Sequence, residues 1–570
     1  MERYRERTDA SGHRSIEVAC RGPALLNHSM YNKSTAFPLE ERQAFGLLGL
    51  LPDVVSTMEQ QAQRVYANIA RKADPLERYI GLAALEDRNE HLFYRVLVDH
   101  LEEFLPIVYT PTVGRACEMY SRIFRRARGL WITPRHRGRI HEVLGNAPFE
   151  DVRLIVATDN ESILGLGDQG AGGMAIPIGK VALYTAAAGI HPAHTLPVSL
   201  DVGTENQALL DDPLYIGWRG RRLRGAEYDS LLDEFVHAVE RRFPRALLQW
   251  EDFRKGNAFA LLDRYRKALP SFNDDIEGTA AMALAGLIAG TRALGMPFRG
   301  VRVVVVGAGA AGVGIARLLR DTLRRAGLNT DAVTRAVAVL DAHGLVVEGE
   351  GPAEDYRREV AWPHAMATAH GVGPGQAADL LSVVRALRPT ALIGVSGAAG
   401  AFTEAVVREM ARHVDRPLVL PLSNPTSQAE ARPDDVLAWT GGRALVATGS
   451  PFPAVTIDGR EVRIGQGNNA FIFPGVGLGA LVSETREVTP PMFAAAAACL
   501  ADQLRQEDVD AGSLYPPIAA LRRVTARIAE AVMREAREGG SGRAFTDEEI
   551  PGRVAAAMWD PRYLPLVRSD

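Results

Sequence analysis

Val301-Arg-Val-Val-Val-Val306, Gly307-Ala-Gly309-Ala-Ala-Gly312 and Val313-Gly-Ile-Ala-Arg-Leu-Leu319 follow one another without a break. Five valines in six residues read as a strand buried on both faces of a parallel sheet. The G-x-G-x-x-G spacing that follows allows a tight turn and close approach to a pyrophosphate. The residues after it open a helix, whose first amides and dipole favour an anion. Strand-like runs recur at Ala336 to Leu340, Ala391 to Val395 and Leu418 to Leu422, with helical stretches between them. This alternation predicts a doubly wound, Rossmann-like dinucleotide domain. Asp341, at the end of the second run, is placed to accept bonds from ribose hydroxyls. It lies further along than the usual spacing of about twenty residues, so an enlarged helix or insert must intervene.

Upstream, Val152 to Thr158, Leu196 to Val202 and Ala246 to Trp250 read as strands, and Leu231 to Arg242 as an amphipathic helix. They predict a second α/β domain, preceded by a helical region from Leu39 to Glu103, in which Asp74-Pro75 is a cap followed by proline at the first helical position. Two prolines and a glycine between Pro106 and Gly114 are expected to break that region. The expected division is residues 1–75 as lead-in and helical assembly region, 76–276 as substrate and metal domain, 277–535 as dinucleotide domain, and 536–570 as a tail.

The chain has 570 residues, 47% hydrophobic and 24% charged, with a formal net charge of −4. That length exceeds one compact core, and the composition is that of an ordinary globular protein, which excludes a disordered chain, a collagen or a coiled coil. The charge gives no reason to propose nucleic acid or a membrane surface as partner. Three cysteines, Cys20, Cys117 and Cys499, are far apart and lack metal-type spacing, which points to a reducing compartment. Residues 1–23 mix Arg with Glu and Asp and contain no signal-peptide apolar run, and nothing approaches a membrane span. The expectation is a cytoplasmic protein whose first twenty residues are irregular.

Gly165-Leu-Gly167-Asp-Gln-Gly170 also fits G-x-G-x-x-G. It precedes further glycines and Pro177, and Asp168 would repel a pyrophosphate, so it reads as a backbone-lined loop around a substrate. Glu251-Asp252 at a strand end and Asn273-Asp274-Asp275 before a helix are oxygen-only donor pairs suited to Mg²⁺ or Mn²⁺. Either aspartate of the second pair could instead cap that helix. Only five of the 65 cationic residues are lysine, and one of them, Lys180, ends Gly172-Gly-Met-Ala-Ile-Pro-Ile-Gly-Lys180. Burial and a neighbouring divalent charge would push its amine down from about 10.4, making it a base that arginine could not be.

Taken together these residues resemble the malic enzyme family, decarboxylating malate dehydrogenases of the large-subunit type. The resemblance runs from about Asn32 nearly to the C-terminus. It is carried by Ile107-Val-Tyr-Thr-Pro-Thr-Val-Gly114, Ile163-Leu-Gly-Leu-Gly-Asp-Gln-Gly170, Leu200-Asp-Val-Gly-Thr204, Trp250-Glu-Asp-Phe253, Phe272-Asn-Asp-Asp-Ile276, Leu422-Ser-Asn-Pro-Thr426 and Gly465-Gln-Gly-Asn-Asn-Ala-Phe-Ile-Phe-Pro-Gly475, besides Gly307 to Gly312. It implies oxidation of malate with hydride transfer to NAD or NADP, loss of CO₂, and pyruvate as product. It further implies Lys180 as general base, Tyr109 as general acid, and Glu251, Asp252 and Asp275 as ligands of Mg²⁺ or Mn²⁺. Gly307, Gly309, Gly312, Asp341, Asp275 and Asn424 would contact the cofactor, and Ser162, Asn424, Asn468 and Asn469 the substrate. Homodimers or homotetramers are the family's usual state, and the C-terminal Trp559-Asp-Pro-Arg-Tyr-Leu-Pro565 suits an assembly arm.

The chain departs from the family pattern at Ser162, where an arginine that grips the substrate carboxylate or the cofactor is usual. Glu277 stands where glutamine is common. Malolactic relatives, which release lactate and retain NAD⁺, carry glycine at the Ser162 position. A malolactic enzyme and a catalytically weakened regulatory subunit are therefore the alternative readings. Asp341 is compatible with NAD but occurs in both cofactor classes of the family, and Arg357 and Arg358 could reach a 2′-phosphate; the reading leans to NAD.

Overall fold

The valine run forms an interior strand, Val303–Val306, of a seven-stranded sheet in the computed structural model, which describes residues 1–349, 355–373, 375, 376 and 378–569. Across this sheet the strands lie in the order Gly344–Leu345, Val337–Asp341, Val303–Val306, Ala391–Gly394, Leu418–Pro421, Leu445–Thr448 and Gly465–Gln466. All pairings are parallel except that of the first, edge strand. Strand order reverses between Val303–Val306 and Ala391–Gly394, which is where a doubly wound sheet opens a ligand crevice. Val304, Leu340, Leu392, Val419 and Val446 from five neighbouring strands share one buried cluster, as expected where helices cover a parallel sheet.

The glycines of the turn answer to specific contacts. A Cβ on Gly312 would stand 1.7 Å from the carbonyl oxygen of Gly307, whose own φ is +119°. No larger residue lets the helix Ala310–Arg325 begin so close to the strand. The long interval to Asp341 is filled by that sixteen-residue helix and a second, Thr330–Ala336.

Four parallel strands organise the other unit, in the order Leu130–Ile132, Thr195–Leu200, Leu154–Thr158 and Leu247–Trp250. The helix Ala175–Ala188 connects two of them and is buried along nearly its whole circumference, the pattern of a central helix. In the helical region Asp74 caps Pro75–Glu86 as predicted. The break predicted at Pro106 is smaller than expected. The helix Leu101–Val108 runs through Pro106, and Thr112–Glu118 resumes after a short turn at Tyr109 to Pro111.

The described residues divide into Met1–Asp252 with Ala555–Asp570, and Phe253–Val554. The sequence reading put the boundary some 25 residues later. Residues 253–276 go with the dinucleotide sheet because Phe259 stacks on Tyr356 at 4.7 Å and Arg266 pairs with Glu277 and Glu487. The N-terminal residues are not irregular. Arg5–Thr8 pairs with Arg14–Val18, which pairs in turn with Leu566–Arg568. The C-terminal segment, expected to serve as an arm, is satisfied within its own chain. Trp559 donates its amide to Gly189, and the Tyr563 hydroxyl bonds Asn89 and Gln61.

Arg128 faces Glu86, Glu90 and Asp87 at 3.4, 3.5 and 3.8 Å. Burial nevertheless pushes the Glu86 carboxyl up to about 7, against the pull of Arg128. The folded chain thus holds this proton more tightly than the unfolded one, so the associated stability is complete below pH ~4.5 and is lost as pH rises through ~7. The loss amounts to at most about 3 kcal/mol. Thermal unfolding of Glu86→Gln from pH 5 to 8 is expected to show a flatter pH dependence than wild type. Parallel curves would contradict it.

Candidate active site

The strands Leu154–Thr158 and Leu247–Trp250 are neighbours, and their carboxyl ends carry the acidic loop and Glu251-Asp252. Glu251 is the hub. Its Oε1 accepts from the Tyr109 hydroxyl at 3.3 Å and lies 2.9 Å from Lys180 Nζ, while Oε2 accepts from Gln249 Nε2 at 2.7 Å. The Gln249 oxygen in turn accepts from the Tyr184 hydroxyl. Lys180 and Glu251 side chains are only 1% and 2% exposed, and Lys180 Nζ lies 5.1 Å from the Tyr109 ring centre. An amine, a phenol and a carboxylate are therefore gathered away from bulk water, where electrostatic interactions are strong.

Local sequence explains the approach. Tyr109 ends the helix Leu101–Val108, while Lys180 sits midway along Ala175–Ala188. A Cβ on Gly179 would stand 2.7 Å from the carbonyl oxygen of Val108 and 3.2 Å from Tyr109 Cδ2. Only glycine beside the lysine lets the two helices bring amine and phenol to one carboxylate.

Asp252 takes a left-handed conformation with φ +55°, unusual for a residue other than glycine and a feature that gathers at functional sites. Its carbonyl accepts from the Ser162 amide at 3.1 Å, which ties the departure from the family pattern to the strand end. The surrounding loop is clamped by Arg222, whose side chain is fully buried. It donates to both Asp168 oxygens, at 2.7 and 3.1 Å, and to the Asp159 carbonyl at 2.6 Å. Burial raises the Asp168 carboxyl, but Arg222 overrides this and holds it below the usual carboxylate range. Arg224 pairs with Glu161 at 2.6 Å. Asp168 thus serves as the anchor of its loop, and the helical turn Gly170–Met174 follows it directly.

In the other unit Asp274 and Asp275 open a π-helical turn, Asp274–Gly278. Its cap is neither aspartate but Asn273, whose side chain accepts from the Ile276 amide. Asp274 Oδ2 accepts from Asn469 Nδ2 at 3.1 Å, and the same nitrogen donates to Thr279 Oγ1 at 2.9 Å. Asn469 accordingly braces the acidic turn. Asn468 caps the turn Asn469–Phe471, and Asn424 accepts from the Ser450 hydroxyl. Burial pushes the Glu277 carboxyl up to about 7, opposed by Arg266. At the glycine turn, a Cβ on Gly309 would meet nothing within 4 Å, leaving an open cradle before the helix N-terminus that fits a pyrophosphate. Asp341 accepts from the His343 amide and pairs with Arg357 at 3.0 Å. One of the two candidate cations for a 2′-phosphate, Arg357, is thus engaged by the candidate ribose acceptor.

Gln249, Tyr184, Gly179 and Arg222 were not among the residues singled out from sequence. Nothing in Trp218-Arg-Gly-Arg-Arg-Leu-Arg224 distinguishes Arg222 from its neighbours, and Gln249 lies inside a strand.

No helix among the described residues is long and apolar enough to cross a membrane. Residues 86–266 match the family model for the malic enzyme N-terminal domain and residues 276–537 that for the malic enzyme NAD-binding domain. An NAD-dependent malic enzyme of Sodalis glossinidius is 48% identical over 98% of both chains. One from Pseudomonas aeruginosa is 46% identical, over 98% of this chain and 99% of the relative. The crystal structure of Entamoeba histolytica malic enzyme superposes with a TM-score of 0.56 at 19% identity, covering 90% of each chain, a likeness of fold. With both halves matched and near-half identity over almost the whole length, the chain belongs to the malic enzyme family.

Proposed function

We propose that the chain oxidises and decarboxylates (S)-malate to pyruvate and CO₂ with reduction of NAD⁺, and that Lys180, Tyr109 and Glu251 conduct the proton transfers. The observation that carries this reading is the shared Glu251 Oε1, 2.9 Å from the Lys180 amine and 3.3 Å from the Tyr109 hydroxyl. A divalent cation held by Glu251, Asp252 and Asp275, an all-oxygen donor set suited to Mg²⁺ or Mn²⁺, would polarise the substrate carbonyl, and NAD held at the Gly307–Gly312 cradle would supply the hydride acceptor. Lys180, as the neutral amine, takes the malate hydroxyl proton as the hydride leaves. After CO₂ departs, Tyr109 gives its proton to the enolate carbon, and Lys180 restores it through their common partner. The hydroxyl proton thus ends on the pyruvate methyl group, and the enzyme returns to its starting state. Burial keeps bulk water from quenching the enolate.

Asn424, Asn468 and Asn469 belong in this reading to the substrate and cofactor surface, and Asp341 to the adenosine ribose. A homo-oligomer, dimer or tetramer, completes it, checked by light scattering. The deciding assay supplies malate, Mn²⁺ and NAD⁺ or NADP⁺ and measures NADH, NADPH, pyruvate and lactate together. Equal NADH and pyruvate are expected, and lactate without net NADH would overturn the reading in favour of malolactic chemistry.

Ser162 leaves one carboxylate contact unfilled in this reading. Arg222 and Arg224 are committed to Asp168 and Glu161, so neither stands in as a substitute. Restoring a bidentate guanidinium–carboxylate pair is worth about 1.5–3 kcal/mol. Ser162→Arg is therefore expected to lower the KM for malate about 10- to 100-fold, and an unchanged KM would refute it.

A further inference from the structure

Lys180 and Tyr184 lie four residues apart on the helix Ala175–Ala188 and therefore share one face of it. Gln249 and Glu251 lie two residues apart across the end of the strand Leu247–Trp250. Glu251 continues the pairing of that strand through its amide, which donates to the Ala157 carbonyl at 2.9 Å, so the pleat turns both side chains the same way. The two pairs close into a square. Lys180 Nζ stands 2.9 Å from Glu251 Oε1, Gln249 Nε2 donates to Glu251 Oε2 at 2.7 Å, and the Tyr184 hydroxyl donates to the Gln249 oxygen. An ionised carboxylate only accepts, so the amide turns its nitrogen to Glu251 and leaves its oxygen for the phenol. Gln249 and Tyr184 are both 0% exposed. The rest of the strand is Leu247, Leu248 and Trp250, and a fourth apolar side chain would satisfy packing without the risk of an unpaired buried amide, which costs about 1–3 kcal/mol. The amide at 249 therefore answers to Glu251.

We propose that Gln249, oriented by Tyr184, is the positioning residue of this site: by holding Oε2 of Glu251 it turns Oε1 to the Lys180 amine and the Tyr109 hydroxyl. The last torsion of a glutamate is broad, so hydrogen bonds set the plane of its carboxylate. Gln249 and Tyr184 act through Glu251 and exchange no proton with substrate. The inference deepens the malic enzyme reading and rests on it, because the carboxylate so held is the one proposed to join base, acid and metal. Supporting partners of this kind are worth about 10- to 100-fold in activity or metal affinity.

The test is steady-state kinetics of the full chain at saturating Mn²⁺ and NAD⁺, for wild type, Gln249→Met, Tyr184→Phe and the double variant, with melting temperatures alongside. Methionine keeps the length of the side chain and removes both polar atoms, and phenylalanine removes a single oxygen. Gln249→Met should lower kcat at least about tenfold, with the KM for malate within about twofold of wild type. Tyr184→Phe should lower kcat at least about threefold, and the double variant should be no slower than Gln249→Met, because Tyr184 acts only through Gln249. Mn²⁺ affinity, read by electron paramagnetic resonance without malate or nucleotide, should fall at least about threefold in Gln249→Met. A merely structural role would lower the melting temperature and leave kcat of the folded variants unchanged. A kcat within about twofold of wild type in either folded single variant, losses that multiply in the double variant, or an unchanged Mn²⁺ affinity would each overturn the proposal. Should Gln249→Met fail to fold, kcat of Tyr184→Phe decides. A wild type that binds Mn²⁺ but turns over no malate would overturn the proposed reaction instead, and the Mn²⁺ affinities then decide on Gln249 by themselves.

Discussion

Lys180→Met is expected to lower kcat roughly 10²- to 10⁴-fold, the usual contribution of a positioned general base. Lys180→Arg should be as inactive, because a guanidinium retains its protons at any working pH. Both keep a long side chain in a site where the native one is 1% exposed. They differ in that Met leaves the buried Glu251 carboxylate without the hydrogen-bond donor at 2.9 Å, and an unsatisfied buried acceptor costs about 1–3 kcal/mol. Melting temperatures therefore accompany the kinetics. A folded Lys180→Met enzyme with wild-type kcat would refute the assignment of the base. Nucleotide binding is the internal control. The glycine turn belongs to the other unit, so NADH affinity by fluorescence should remain within about twofold of wild type.

Glu251→Gln should be equally severe for a different reason. One oxygen of this carboxylate receives Tyr109 and faces Lys180, and the other receives Gln249. The amide preserves shape and one acceptor, but it removes the charge that a hard cation requires. We expect kcat/KM for malate to fall at least 10³-fold and the Mn²⁺ concentration for half-maximal activity to rise at least tenfold. Raising Mn²⁺ should recover only part of the loss. Full recovery at saturating Mn²⁺ would show that Glu251 matters only as a ligand, and an unchanged Mn²⁺ requirement would remove it from the metal site altogether. Exhaustive chelation of wild type with EDTA gives the limiting case, with activity restored by Mn²⁺ or Mg²⁺ and not by K⁺.

Much of this protein is legible along the chain because local patterns carry it. The valine run, the glycine spacing and the helix after it fix a dinucleotide turn, since Gly307 takes φ +119° and a Cβ on Gly312 would run into the Gly307 carbonyl. Asp74-Pro75 announces its helix start for the same local reason, and Lys180 stands out through the scarcity of lysine and the apolar stretch around it.

Contacts between distant segments had to wait for the tertiary structure. The strand Arg14–Val18 looked irregular because one of its two partners, Leu566–Arg568, lies some 550 residues away. The cap of the acidic turn went to Asn273 because its side chain reaches the Ile276 amide. Arg222 is indistinguishable from the arginines beside it until the fold buries it against Asp168 and Asp159. Sequence alone therefore determined the dinucleotide turn, the capped helix start at Pro75 and which residue types are available for the chemistry, because hydrophobic period, capping and glycine geometry act over a few residues. The fold alone decided that an amine at 180 and a phenol at 109 meet over one carboxylate at 251, because burial and hydrogen-bond geometry depend on which strands and helices become neighbours.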